Sequence, residues 1–230
     1  VKIIGLIGGM SWESSLTYYR LINESVKEKL GGLHSAQCIL YSLDFADIEP
    51  LQRQGKWSEA TQLLITAAQN LEKGGADFAV ICTNTMHCVF DEVKSQIAIP
   101  MLHIADAAGE KVKSQGLRRI GLLGTKFTME EDFYRERLIR NYGLEVLIPV
   151  EEERATVHDV IYNELCKGQI HRESRDRYIT IIDNLVKKGA EGIILGCTEI
   201  GLLISKADSP VPLFDTAILH ALAAVEYALA

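Results

Sequence analysis

Apolar residues in this chain alternate between two spacings. Short runs rich in β-branched and aliphatic residues occur at 2–7, 37–43, 78–82, 99–103, 119–124, 144–148, 192–196 and 211–214, each of strand length. Between them, apolar residues recur at helical spacing over 11–29, 57–73, 85–95, 106–114, 129–140, 152–166, 171–188 and 216–230. Ser11 suits the N-cap of the first helix, with Glu13 in its first turn. Gly74-Gly75 stops the second helix, and Lys167-Gly168 separates two helices late in the chain. Segment 44–55 carries no sustained period and reads as a loop with one helical turn. Strands alternating with helices predict parallel sheets covered on both faces.

The pattern repeats. Gly75-Ala76-Asp77-Phe78-Ala79-Val80-Ile81-Cys82-Thr83-Asn84-Thr85 resembles Gly189-Ala190-Glu191-Gly192-Ile193-Ile194-Leu195-Gly196-Cys197-Thr198-Glu199, at an offset of 189 − 75 = 114. Ile4 to Gly9 matches Ile120 to Thr125 at 116, Tyr19-Arg20 matches Tyr134-Arg135 at 115, and Pro100-Met101-Leu102 matches Pro212-Leu213-Phe214 at 112. Four matches in the same order read as an internal duplication. The expected fold is α/β, with two pseudo-symmetric three-layer domains, mainly parallel sheets and an active site in the cleft between them. By the likeness of Pro100 and Pro212, the expected boundaries are 1–103 plus 212–230 for one domain and 104–211 for the other. Thr83 and Cys197 then stand at equivalent strand ends.

Charge and composition narrow the partners. A net charge of −7 gives no reason to expect nucleic acid or an anionic membrane. Five cysteines, an odd number without C-x-x-C pairs, suggest free thiols in a reducing compartment. No apolar run reaches membrane-spanning length and no basic-then-apolar leader is visible, so a cytoplasmic protein is expected. Gly5, Gly8 and Gly9 form neither G-x-G-x-x-G nor a Walker loop, which argues against nucleotide binding. Cys82, His87 and Cys88 have a spacing that fits no zinc pattern, so no metal is expected.

Ligands of open α/β sheets collect beyond the carboxyl ends of the strands. That region holds Gly8-Gly9-Met10, Thr83-Asn84-Thr85, Gly124-Thr125 and Cys197-Thr198-Glu199. Asn84, Thr85, Thr125 and Thr198 offer side-chain donors beside backbone N–H groups at helix starts, a combination suited to a carboxylate. A cysteine at such a helix start is expected to have a depressed pKa and an enlarged thiolate fraction. The plainer reading makes Cys197 a small buried hydrophobe; its polar collar and the repeat favour the reactive one. Cys82 should face the opposite side of its strand and pack in the core, while Cys38 and Cys166 read as structural. His87 and His103 read as hydrogen-bonding residues near the site. Lys167, Gln52 and Arg53 are candidates for a second acidic group on the ligand, or else ordinary solvated surface.

Cys82-Thr83-Asn84-Thr85-Met86-His87 and Gly196-Cys197-Thr198-Glu199 resemble the paired motifs of the aspartate/glutamate/hydantoin racemase superfamily. Ile4-Gly5-Leu6-Ile7-Gly8-Gly9-Met10-Ser11-Trp12-Glu13-Ser14 extends the likeness, which covers essentially the whole chain. The resemblance implies a cofactor-independent amino-acid racemase acting on aspartate and glutamate, with possible breadth beyond them, and a homodimeric assembly. Commonly each motif supplies a cysteine to one face of the substrate Cα, the second-half cysteine serving the L-face. Here Thr83 occupies the first cysteine position and Cys197 matches the second. Asn84, Thr85, Thr125 and Thr198 match positions that hold the α-carboxylate and its neighbours. Met10, Gln52 and Glu199 join the expected substrate-binding set. Lys167 falls thirty residues before Cys197, where some aspartate-specific relatives carry a lysine for the side-chain carboxylate.

The departure at Thr83 has a physical consequence. A free thiol with a pKa of about 8.5 is a few per cent thiolate at neutral pH, and a threonine hydroxyl is far less acidic. Thr83 is therefore expected to donate or relay a proton rather than to act as an equal base. Two other readings compete with the racemase: a lyase of the arylmalonate decarboxylase type using Cys197 alone, and a non-catalytic two-lobed metabolite-binding protein.

Overall fold

The computed structural model describes residues 1–230. They divide into two compact units, Val1–Ile104 with His220–Ala230, and Ala105–Leu219. In chain order the first holds β1 (Ile4–Gly8), α1 (Trp12–Leu30), β2 (Cys38–Ser42), α2 (Phe45–Arg53), α3 (Trp57–Lys73), β3 (Phe78–Ile81), a 3-10 turn (Thr85–Val89), α4 (Phe90–Lys94) and β4 (Met101–Leu102). Its sheet has the order β2-β1-β3-β4, all parallel. After α5 (Ile104–Ser114) the second unit runs through β5 (Arg119–Gly124), α6 (Lys126–Glu130), α7 (Asp132–Tyr142), β6 (Glu145–Leu147), α8 (Glu151–Asn163), a 3-10 turn (Leu165–Lys167), α9 (Arg172–Lys187), β7 (Gly192–Gly196), α10 (Ile200–Leu203) and β8 (Leu213–Asp215). The order of that sheet is β6-β5-β7-β8, again all parallel. The chain ends in α11 (Thr216–Leu229).

The two sheets share one topology at the offsets seen in the sequence. Ile4 pairs with Phe78 in the first, and Ile120 pairs with Gly192 in the second. The shifts are 120 − 4 = 116 and 192 − 78 = 114. Central strands β1, β3 and β7 are buried along their whole length, as strands covered on both faces must be. On one face of the first sheet, Ile7, Ala79 and Ile81 join Leu64, Ala68 and Leu71 of α3 in a single apolar cluster. Leu123, Ile193 and Leu195 do the same with Val157 and Ile161 of α8 and Ile182 and Leu185 of α9. In each unit this burial holds the ends of two central strands rigid.

Several elements differ from their sequence expectation. The segment expected as a loop, 44–55, contains α2, because Asp44 caps it by accepting the Ala46 N–H at 2.9 Å and Ile48 anchors it in the core. Pro50 sits inside this helix and hid its pattern. The helix expected over 85–95 is a 3-10 turn followed by α4. The one expected over 129–140 is split into α6 and α7 by the extended backbone of Glu131. The second unit continues to Leu219 rather than to 211. Leu213 and Phe214 pair in parallel with Ile193 and Ile194, so this strand completes the second sheet before the chain returns. No helix is long and apolar enough to cross a membrane.

Candidate active site

At the carboxyl end of β1 the chain turns so tightly that side chains are excluded. A Cβ on Gly8 would collide with Ser15 Oγ, and one on Gly9, at φ +88°, with the backbone oxygen of Leu43. The first turn of α1 then satisfies the groups that this turn exposes. Ser15 Oγ accepts the Gly9 N–H at 2.7 Å and donates to the Ser11 carbonyl at 3.1 Å. Ser11 Oγ caps the helix by accepting the Ser14 N–H at 3.3 Å. Ser14 Oγ reaches across to donate to the Cys82 carbonyl at 2.9 Å. This last bond ties α1 to the residue immediately before Thr83.

Thr83, Asn84 and Thr85 are all buried where β3 gives way to the 3-10 turn. His87 secures them from below. Its Nε2 accepts the Ile104 N–H at 3.2 Å, so the proton is on Nδ1, which donates to the Thr83 carbonyl at 2.7 Å. Both ring nitrogens are thus committed, and the ring packs against Phe90 and His103. His87 is a support for Thr83 rather than a base. Met10 lies in the apolar cluster with Ile48 and Met86. Gln52, on α2, is 3% exposed and donates to Met86 Sδ at 3.0 Å. Its neighbour Arg53 is exposed and pairs with Glu49. Cys82 is wholly buried, and burial pushes its thiol far above the ordinary range.

The second unit builds the corresponding collar from β5 and β7. These strands approach so closely that a Cβ on Gly124 would lie 2.7 Å from the Gly196 carbonyl oxygen. Thr125 caps α6, its Oγ1 accepting the Thr128 N–H at 3.3 Å. The Lys126 N–H donates to His158 Nδ1 at 3.2 Å, and burial lowers the pKa of His158. Directly after β8, Thr216 Oγ1 donates to the Leu195 carbonyl of β7 at 2.8 Å and fixes the strand that carries Cys197.

Cys197, Thr198 and Glu199 are all buried. Cys197 Sγ donates to Glu199 Oε2 at 2.9 Å, and Thr198 Oγ1 donates to the same oxygen at 2.8 Å. The cysteine therefore departs from its sequence expectation. Its pKa is raised well above the ordinary thiol value, first by burial and next by the charge of Glu199. The helix after it, α10, spans only Ile200–Leu203, too few aligned peptides to offset a carboxylate in contact with the thiol. Glu199, grouped by sequence with the substrate binders, is the thiol's hydrogen-bond partner. Thr198, expected to serve a carboxylate, has its hydroxyl proton directed to Glu199.

The structure brings Thr83, Asn84 and Thr85 to one strand end in the first unit, and Cys197, Thr198 and Glu199 to one strand end in the second, beside Thr125. Lys167 lies apart from these groups in the sequence of the second unit, exposed at the end of the 3-10 turn that Gly168 terminates at φ +69°. Ser14, Ser15 and Thr216 were missed by sequence reasoning. For Ser14 and Ser15 the one signal was the density of hydroxyl residues after Gly8-Gly9, with serine at 11, 14 and 15; Thr216 had none. No three His, Cys, Asp or Glu side chains converge as metal ligands would.

The family model described as Asp/Glu/hydantoin racemase matches residues 7–224. A putative Asp/Glu racemase from Yersinia pestis, known from its crystal structure, is 53% identical, with both chains covered in full and a TM-score of 0.93. An aspartate racemase homologue from Pyrococcus horikoshii OT3 is 37% identical over 100% of both chains, with a TM-score of 0.86. The broad specificity amino-acid racemase RacX of Bacillus subtilis (strain 168) is 23% identical over 220 residues, covering 93% of this chain and 92% of its own.

Proposed function

The chain belongs to the Asp/Glu/hydantoin racemase family and is an isomerase of the amino-acid racemase class, and we propose that it interconverts L- and D-aspartate and L- and D-glutamate. Inversion at Cα needs a proton removed from one face and another delivered to the opposite face. In our reading Cys197 serves the L-face as base and Thr83 delivers or relays the proton to the other. The observation that carries this is the duplicated topology, in which Thr83 and Cys197 follow β3 and β7 at an offset of 197 − 83 = 114. That offset equals the one between the strands themselves.

Asn84, Thr85, Thr125 and Thr198 are proposed to hold the α-carboxylate, with Thr198 acting through its backbone N–H while its hydroxyl stays on Glu199. Met10 is proposed to line the substrate and Gln52 to present its amide to a polar group. Lys167 is proposed to meet the side-chain carboxylate, its exposure leaving the ammonium available. The reaction is proposed to run on the free amino acid without a cofactor; inhibition of the purified enzyme by carbonyl reagents would overturn that point. The lyase reading has against it the full-length likeness to proteins named as racemases or racemase homologues, at 53% and 37% identity.

The test is chiral analysis of the common amino acids after incubation with the purified protein. Wild type should equilibrate aspartate and glutamate, and Cys197→Ala should abolish turnover while retaining the wild-type circular dichroism spectrum. Racemization by Cys197→Ala at the wild-type rate would refute the mechanism, and no racemization by wild type would refute the activity.

Two coarser features accompany this reading. All five cysteines are free thiols, which supports a cytoplasmic location; isolation from an oxidising compartment would overturn it. A homodimer is proposed through the outer face of α1 and β2. Trp12, Leu16 and Tyr19 are half-exposed or more at helical spacing beside Leu40, and together with Cys38 they line a groove of about 420 Å³. Strand β2 is an uncharged, proline-free sheet edge, a kind of edge that native proteins cover. The apolar groove contains no charge to repel a second copy of itself. Light scattering should give a dimer for wild type and a monomer for Leu16→Glu, and a monomeric wild type would refute it.

A further inference from the structure

A hydroxyl can serve one face of a substrate only while its backbone is held in place. The first unit holds Thr83 with a buried series of hydrogen bonds that begins on two distant helices. Tyr18 of α1 and His220 of α11 belong to this unit and are wholly buried. His220 Nε2 lies 3.1 Å from the Leu102 carbonyl, which can only accept, so in the neutral ring Nε2 carries the proton. Nδ1 then accepts the Tyr18 hydroxyl at 2.9 Å, and the two rings meet edge to face at 5.8 Å. Leu102 belongs to β4, a strand of two residues at the edge of its sheet, with β3 as its neighbour. Two residues on, the Ile104 N–H donates to His87 Nε2, and His87 Nδ1 donates to the Thr83 carbonyl. Each donor in the series is turned toward the Thr83 end.

The duplication shows that the fold itself does not require this series. At the offset of the last strands, 213 − 101 = 112, the counterpart of His220 is Ala108, since 220 − 112 = 108. At the offset of the strands that lead to Thr83 and Cys197, 192 − 78 = 114, the counterpart of His87 is Gly201, since 87 + 114 = 201. The unit that carries the thiol has neither imidazole at these places. We propose that Tyr18 and His220 are positioning residues for Thr83, acting through β4 and His87. A two-residue edge strand is weakly held by its sheet, so the bond from His220 decides where the Ile104 N–H stands, and that N–H sets the His87 ring. The series ends on the Thr83 backbone carbonyl rather than on its hydroxyl, so it holds the residue and carries no proton to the substrate. The part of Thr83 in proton delivery rests on the racemase reading above; its support by Tyr18 and His220 does not.

Two readouts on Tyr18→Phe, His220→Asn and His220→Gln test this. The first is solvent exchange of the His87 Nδ1 proton, followed by NMR and referred to the Ile194 amide of β7 so that global opening cancels. The second is the ratio of D-aspartate formed to α-deuterium gained by remaining L-aspartate in deuterated water. Phenylalanine keeps the ring and removes the hydroxyl that fixes the His220 tautomer. Asparagine is too short to place a donor on Leu102, while the amide nitrogen of glutamine reaches the place of Nε2. In Tyr18→Phe and His220→Asn the exchange should quicken about tenfold and the ratio should fall about tenfold, short of the hundredfold expected for a full ångström of displacement. Glutamine should restore both. Loss of folded enzyme lowers product and deuterium together and leaves the ratio unchanged, so a merely structural role would not move it. If Tyr18→Phe or His220→Asn does not fold, the other carries the test. Wild-type exchange in the folded variant overturns the proposal, and so does quickened exchange with a wild-type ratio. Glutamine as impaired as asparagine overturns the link through Leu102. Quickened exchange in a protein whose wild type racemizes nothing supports the support of Thr83 and refutes only the racemase reading.

Discussion

Replacing Ser14 by alanine isolates the bond that ties α1 to the residue before Thr83. Ser14 is buried, and its hydroxyl donates to the Cys82 carbonyl at 2.9 Å. The backbone N–H of Ser14, which receives the Ser11 cap, is unchanged by the substitution. Alanine leaves a buried carbonyl short of one donor, at a cost of about 1–3 kcal/mol. It returns about 0.5 kcal/mol through its better helix propensity. The net loss of roughly 0.5–2.5 kcal/mol corresponds to a fall in Tm of about 1–10 °C for a chain of this size. Racemization should fall as well, because the Cys82–Thr83 peptide loses its lateral restraint and small misplacements are costly in rate. Differential scanning calorimetry and the chiral assay on the same preparation read both effects. A Tm at or above wild type would refute the energetic argument. A lowered Tm with unchanged kcat would refute the claim that this bond positions Thr83.

On the proposed mechanism, with Cys197 exchanging its proton more readily than Thr83 delivers one, remaining L-aspartate in deuterated water should gain α-deuterium faster than D-aspartate forms; D-aspartate should invert with little prior exchange, and equal wash-in from both enantiomers would refute the asymmetry. Lys167→Met should slow aspartate and glutamate more than any uncharged amino acid the enzyme accepts, and an equal loss on all substrates would reassign Lys167. His158 accepts the Lys126 N–H as a neutral ring, and its folded pKa lies below the unfolded value of about 6.5. Between those two pKa values the unfolded chain binds more protons, so this stabilisation is present above the unfolded value and is lost as pH falls through the folded one. The Tm advantage of wild type over His158→Gln should therefore shrink from neutral pH downward, and a constant difference would refute the assignment.

Much of the fold was legible because it rests on local periodicity. The strand runs are buried on both faces and so read as continuous apolar segments, and the repeat fixed their correspondence without any contact being known. Boundaries were less legible where a helix carries an internal proline, as α2 does at Pro50, or breaks at one extended residue, as at Glu131. The return point of the chain was hidden because Pro212-Leu213-Phe214 resembles Pro100-Met101-Leu102 in sequence, while only strand pairing decides which sheet it joins.

The sequence by itself determined the family, the duplication, and the placing of Thr83 and Cys197 at matching strand ends, since these depend on residue identity and order. It did not determine the state of the thiol. Position before a helix suggested an acidic cysteine, but the thiol is buried with the side chain of Glu199 folded back onto Sγ, and the pKa moves the other way. Likewise the sequence read His87 as a hydrogen-bonding residue without its partners, and the bonds to Thr83 and Ile104 commit both of its nitrogens. Burial and hydrogen-bond partners set the free energy of a proton, and both are properties of the tertiary structure that no spacing of residues along the chain contains.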